Sequence, residues 1–117
     1  MGKEFIQLTG EDGNVLEFNK RGGTGCISVT ANIAPKLCSE FQKFSVMKDQ
    51  KSQLESEKLN KILQPIHHSM FVESNPSPVK YAASLLKLAP EDVRLPLVKV
   101  QGSTKEKVKE ALKAATL

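Results

Sequence analysis

Two short apolar segments, each bounded by glycine and separated by a single helical stretch, constrain this chain more than any other feature. Phe5-Ile6-Gln7-Leu8-Thr9 and Cys26-Ile27-Ser28-Val29-Thr30 are rich in β-branched and aromatic residues, as short buried strands are. Between them Val15, Leu16, Phe18 and Asn19 fall at helical spacing, and Gly22-Gly23 supplies the tolerance of positive φ that ends a helix. Strand, helix, strand is a βαβ unit, so the strands should be parallel neighbours in an α/β sheet covered by helices. Two parallel strands alone make a poor sheet. The pattern reads as the end of an α/β domain whose earlier strands are missing from these 117 residues.

From Asn32 onward the pattern is helical. Pro35 suits a first turn, and Leu37, Phe41, Phe44 and Met47 recur at helical spacing. A second helix is expected from about Gln50 to Met70, with Leu54, Leu59, Ile62, Leu63, Ile66 and Met70 inward, a Glu57–Lys61 pair outward, and a kink at Pro65. Asn75-Pro76-Ser77-Pro78 is turn chemistry, followed by a helix with Val79, Ala82, Ala83, Leu85 and Leu86 as its stripe, ending near Leu88. After an extended connector, Arg94 to Val98, a Ser103–Glu106 capping box opens a last helix with Val108, Ala111, Leu112 and Ala115 inward.

Charge and composition narrow the function classes. Lysines 48, 51, 58 and 61 and lysines 105, 107 and 109 are interleaved with acidic residues, as on a solvated helix face, so the net charge of +4 does not argue for nucleic acid. The longest charge-free run, Gly22 to Pro35, is polar and glycine-rich, unlike the roughly 20 apolar residues of a membrane span. Lys3 and Glu4 with no apolar run after them do not form a secretory signal, and a cytoplasmic location is expected. Cys26 and Cys38 have no disulfide-scaffold or CxxC spacing and read as free, buried thiols.

Several constellations invite chemistry. His67-His68 point about 100° apart on a helix and do not form a metal pair, so one partly buried and one exposed histidine are expected, and no metal. Arg21-Gly22-Gly23-Thr24-Gly25 lacks the Gly-Lys-Ser/Thr ending of a phosphate loop and precedes a strand, so it reads as a backbone turn. Gly10-Glu11-Asp12 lies at the carboxyl end of the first strand, where α/β sheets place ligands. Gly10 would admit a ligand closely, while Glu11 and Asp12 suit either acid/base work or a helix start. For Cys26 and Ser28 core packing is favoured over a nucleophilic role, because no histidine partner is evident.

Four segments in order carry a resemblance: Leu8-Thr9-Gly10-Glu11-Asp12, Gly22 to Asn32, Phe71-Val72-Glu73-Ser74-Asn75-Pro76-Ser77-Pro78-Val79-Lys80, and Arg94-Leu95-Pro96-Leu97. Together they resemble the carboxy-terminal part of the 4-hydroxy-tetrahydrodipicolinate (dihydrodipicolinate) synthase family. The resemblance implies an α/β fold: the last two βα units of a (β/α)₈ barrel in residues 1–49, then a helical carboxy-terminal region in residues 50–117, with the chain by itself mostly α-helical. That family condenses pyruvate with aspartate 4-semialdehyde in lysine and diaminopimelate biosynthesis, through a Schiff base on a barrel lysine and without a cofactor.

By resemblance, the lysine, the tyrosine relay and the threonine pair lie on strands that would precede Met1, so no catalytic residue maps onto this chain. Lys80 belongs to another motif. Ile27 maps to the strand position lining the pyruvate site and Gly10 to the backbone position near the Schiff base. Glu11 stands where the family usually has Asp, and Ser74 and Ser77 replace Pro and Ile. The implied oligomer is a homo-oligomer, commonly a tetramer, with neither nucleic acid nor membrane as partner. The expectation is a chain inactive alone; a non-catalytic helical interaction module or a split-enzyme subunit is the alternative.

Overall fold

The computed structural model describes residues 2–117. Strands β1 (Leu8–Thr9) and β2 (Gly25–Cys26) pair in parallel, Leu8 opposite Gly25 and Thr9 opposite Cys26. The Thr24 N–H donates to the Gln7 carbonyl at 3.0 Å and the Ile27 N–H to the Thr9 carbonyl at 2.9 Å, which extends the pairing at both ends. The ladder is nevertheless shorter than the two five-residue strands expected. Ser28, Val29 and Thr30 leave it because their polar groups bond to Asp12, and Thr30–Asn32 turns into a short 3₁₀ segment.

Helix α1 (Val15–Lys20) follows a 3₁₀ turn at Asp12–Asn14. It buries Val15 and also Asn19, whose amide donates to Gln42 Oε1 at 2.8 Å and to Ser45 Oγ at 2.7 Å on the next helix. The turn that ends it needs two glycines for different reasons. Gly22 has φ of +103°, which an L side chain rarely adopts, and a Cβ on Gly23 would lie 2.2 Å from two ring carbons of Phe18.

Helix α2 (Pro35–Ser45) has its proline in the first turn and buries Cys38, Phe41 and Ser45. Helix α3 (Gln50–Ser69) is capped by Asp49, whose carboxylate accepts from the Ser52 N–H at 2.9 Å. Its inward face is Ser52, Ser56, Leu63, Ile66 and His67, with Met70 just beyond the last turn. Leu54 and Ile62, expected inward, are exposed. The reason is the pair of small serines, which occupy the first two inward turns where α3 packs on α2, so the face is rotated from the one that the leucines mark. The helix runs without interruption through Pro65, which sits on the solvent side. Glu57 pairs with Lys20 of α1 at 3.2 Å, not with Lys61 as expected.

Helix α4 (Ser77–Leu85) buries Val79, Tyr81 and Ala82 and stops short of the expected Leu88, leaving Leu85 partly exposed. Helix α5 (Gly102–Ala114) buries Val108, Ala111 and Leu112 as expected, with Ala115 after them. The Ser103–Glu106 box does not form. The helix starts one residue earlier, Gln101 is its cap, the Gln101 N–H donates to Glu73 Oε2 at 3.0 Å, and Glu106 pairs with Lys109 at 2.8 Å.

These helices share one apolar cluster in which Val15, Ile33, Phe41, Leu63, Ile66, Met70 and Val108 are nearly inaccessible. Each buried side chain of this size contributes roughly 1.5–3 kcal/mol relative to exposure, so the helices on one side of the β pair hold the chain together. The arrangement is α/β with a minimal sheet and mostly α-helical. Among the described residues no helix is long and apolar enough to cross a membrane.

Candidate functional site

Side chains alternate across a strand. On one face of the β pair lie Ile6, Leu8 and Gly10 of the first segment and Gly25 and Ile27 of the second; on the other lie Thr9 and Cys26, turned toward the helices. The first face is open: Ile6 and Ile27 are each 72% exposed and Leu8 is 51% exposed. The register explains Gly25, since a Cβ there would meet Leu8 Cδ2 at 3.0 Å.

The Ile27 N–H to Thr9 carbonyl bond fixes Ile27 beside the residue that precedes Gly10, so both predicted positions stand at the carboxyl end of the pair. Nothing lies within 4 Å of where a Gly10 Cβ would be, and Gly10 has no positive φ. Its glycine leaves space beside the strand end and is not demanded by the backbone. Ile27 does not close a wall in this chain, because its side chain projects from the open face.

Both loops that carry these residues are tied to Asp12, which is 4% exposed. Its Oδ2 accepts the N–H groups of Val29 at 2.8 Å and Thr30 at 3.2 Å, and its Oδ1 accepts the Ser28 hydroxyl at 2.5 Å. The Ser28 oxygen in turn accepts the Ala31 N–H at 2.9 Å. On its own side, Glu11 caps the 3₁₀ turn by accepting from the Gly13 N–H, and the Glu11 N–H donates to Thr9 Oγ1 at 3.1 Å. The helix-start reading of Glu11 and Asp12 is the one the structure adopts, with one addition. The Asp12 carboxylate is the acceptor that the loop after β2 folds around, spanning 16 to 18 residues of sequence. No local signal marks such a contact; the nearest is the run of donors Ser28-Val29-Thr30.

His68 is exposed, as expected, while His67 is buried more completely than the partial burial expected of it. His67 Nδ1 lies 2.6 Å from Thr30 Oγ1, while its Nε2 is buried without a partner. Burial holds the imidazole below the ordinary histidine range, with the Asp12 and Glu11 carboxylates partly opposing. Beneath the β pair, Asp12, Cys26, Ser28, Cys38, Phe41 and His67 surround much of a cavity of about 230 Å³. Both cysteines are free. Burial, then the nearby Asp12 carboxylate, pushes the Cys26 thiol up to about 12 and the Cys38 thiol up to about 11, so neither is a nucleophile near neutral pH. This cavity faces the helices, and neither Gly10 nor Ile27 lines it.

The glycine-rich turn is spent on the fold: Gly22, Gly23 and Thr24 donate their N–H groups to the Asn19, Phe18 and Gln7 carbonyls. Among the described residues no group of three His, Cys, Asp or Glu side chains is placed to hold a metal ion.

Residues 1–115 match the model of the dihydrodipicolinate synthetase family. A 4-hydroxy-tetrahydrodipicolinate synthase of Pelagibacter ubique is 68% identical over all 117 residues of this chain, which span 40% of that protein. The solved 4-hydroxy-tetrahydrodipicolinate synthase of Methylacidiphilum fumariolicum superposes with a TM-score of 0.91 at 30% identity, over 99% of this chain and 38% of that one. A chloride-inhibited dihydrodipicolinate synthase from Acinetobacter baumannii, complexed with pyruvate, superposes with a TM-score of 0.88 at 37% identity, over 96% of this chain and 38% of that one. The chain thus spans about two fifths of the length of the relatives it matches, and the part it matches is the carboxy-terminal one.

Proposed function

This chain belongs to the dihydrodipicolinate synthetase family, and on that premise we propose that it supplies one wall of a pyruvate site in a synthase that condenses pyruvate with aspartate 4-semialdehyde. The observation that carries the reading is the open face of the β pair. Ile6, Leu8 and Ile27 are apolar and exposed where a barrel would continue, while Thr9 and Cys26 on the opposite face turn toward the helices. In this reading residues 1–49 are the end of the barrel and residues 50–117 the helical region.

Gly10 gives a bound pyruvate room at the strand end, and Ile27 gives it an apolar neighbour once the barrel closes. An apolar, water-poor wall disfavours hydrolysis of an imine. The amine that forms this imine is a lysine on another part of the barrel, and no lysine of this chain takes its place. The chain alone is therefore inactive. The whole enzyme is a cytoplasmic homo-oligomer without a cofactor.

Incubating the purified chain with pyruvate and borohydride tests this. No pyruvyl adduct should form on it, whereas co-expression with the amino-terminal barrel piece of a relative should restore condensation and place the adduct on that piece. An adduct on the isolated chain overturns the assignment. A stable complex without condensation favours instead a non-catalytic helical interaction module.

A further inference from the structure

The helical region reaches the strand ends at one buried point. His67, on α3, sits 2.6 Å through Nδ1 from the hydroxyl of Thr30, which is 0% exposed. The Thr30 N–H donates to Asp12, two residues after Gly10, and the loop that Thr30 closes begins at Ile27. A second strap lies close by: Gln64 Nε2, one turn earlier on α3, donates to the Gly13 carbonyl at 3.0 Å. Helix α3 therefore holds both loops, one through Thr30 and one through Gly13.

We propose that His67 and Thr30 are positioning residues for the pyruvate site, through which α3 fixes the spacing of Gly10 and Ile27. This rests on the reading of the site given above. The chemistry suits a fixed strut. Thr is β-branched and stiff at χ1. A neutral imidazole and a hydroxyl can bond with the hydrogen on either atom. Neither residue touches the open face, so neither reacts with substrate; both act on where Gly10 and Ile27 stand. A misplacement of about 1 Å at such a point costs an enzyme up to about a hundredfold.

The experiment compares Thr30→Val, which keeps the shape and the N–H but removes the hydroxyl, with Thr30→Ser, which keeps the hydroxyl. Amide hydrogen exchange on the chain itself should be about tenfold faster in Thr30→Val at residues 12–14 and 27–31, beyond any change at Leu112 in α5, the scale expected for one net hydrogen bond. Thr30→Ser should restore it, and His67→Asn, whose amide reaches a similar place, should restore more than His67→Ala. In the complemented enzyme, Thr30→Val should raise KM for pyruvate about tenfold with kcat within about twofold. Uniform acceleration at both the loops and Leu112 overturns the proposal, as does an unchanged KM in an active complement. If the unmodified complement fails to condense, the functional reading fails, and the exchange pattern alone decides whether α3 clamps the loops.

Discussion

Replacing Asp12 measures how much of this chain's order hangs on one carboxylate. In Asp12→Asn the amide oxygen can still take the Val29 and Thr30 N–H groups, and the amide N–H₂ can donate to Ser28 Oγ, which uses one lone pair on Ala31. What is lost is the charge assistance at two backbone bonds, roughly 1 kcal/mol each, or about 2 kcal/mol. In Asp12→Ala the two N–H groups lose their partner outright, and each buried orphan costs about 1–3 kcal/mol, so the total is about 4 kcal/mol. Urea unfolding followed by far-ultraviolet circular dichroism reads both. With a slope of about 1.5 kcal/mol per molar, the Asn variant should lower the midpoint by about 1.3 M, and the Ala variant by about twice that. A loss below about 1 kcal/mol for Asp12→Ala refutes the view that the loop after β2 folds around this carboxylate.

Stability should also depend on pH through His67. Its folded-state affinity for the proton lies below the ordinary 6.5, so the unfolded chain takes up the proton first. Stability is then fully present above about pH 6.5 and declines as the pH falls below it, and melting temperatures of the unmodified chain and His67→Asn should diverge there; parallel curves would show that His67 does not titrate on unfolding. Gly23→Ala places a methyl 2.2 Å from the Phe18 ring and 2.9 Å from the Phe18 carbonyl, so the backbone must shift. We expect a loss of about 2–3 kcal/mol, read as a fall of about 8–12 °C in melting temperature. A fall under about 2 °C would contradict the contact.

Much of the fold was legible in the sequence where periodicity and packing agree. Helix α5 shows its inward stripe directly, because the apolar Val108, Ala111, Leu112 and Ala115 are all buried. Helix α3 misleads because Ser52 and Ser56 occupy inward positions and leave Leu54 and Ile62 outside. The strands were read too long for a related reason: Ser28 and Thr30 alternate with apolar residues as strand residues do, yet their polar groups bond to a carboxylate 16 to 18 residues away. Gly10 was marked by its place at the carboxyl end of the first strand and Ile27 by family resemblance alone, and Ile27 stands beside Thr9, the residue before Gly10. The pairing of Thr30 with His67 was invisible, since 37 residues separate them and neither the glycine-rich segment that holds Thr30 nor the histidine pair signals the other.

The open face of the β pair makes stability a matter of mass action. A barrel complement closing over Ile6, Leu8 and Ile27, as proposed above, would bind the folded chain and not the unfolded one, and would so draw the folding equilibrium toward the native state. At a hundred times its dissociation constant such a partner adds about 2.7 kcal/mol, a large fraction of what a domain of this size possesses. On that proposal a melting temperature measured on the chain alone would be the floor of a range, its upper end set by the concentration and fit of the complement.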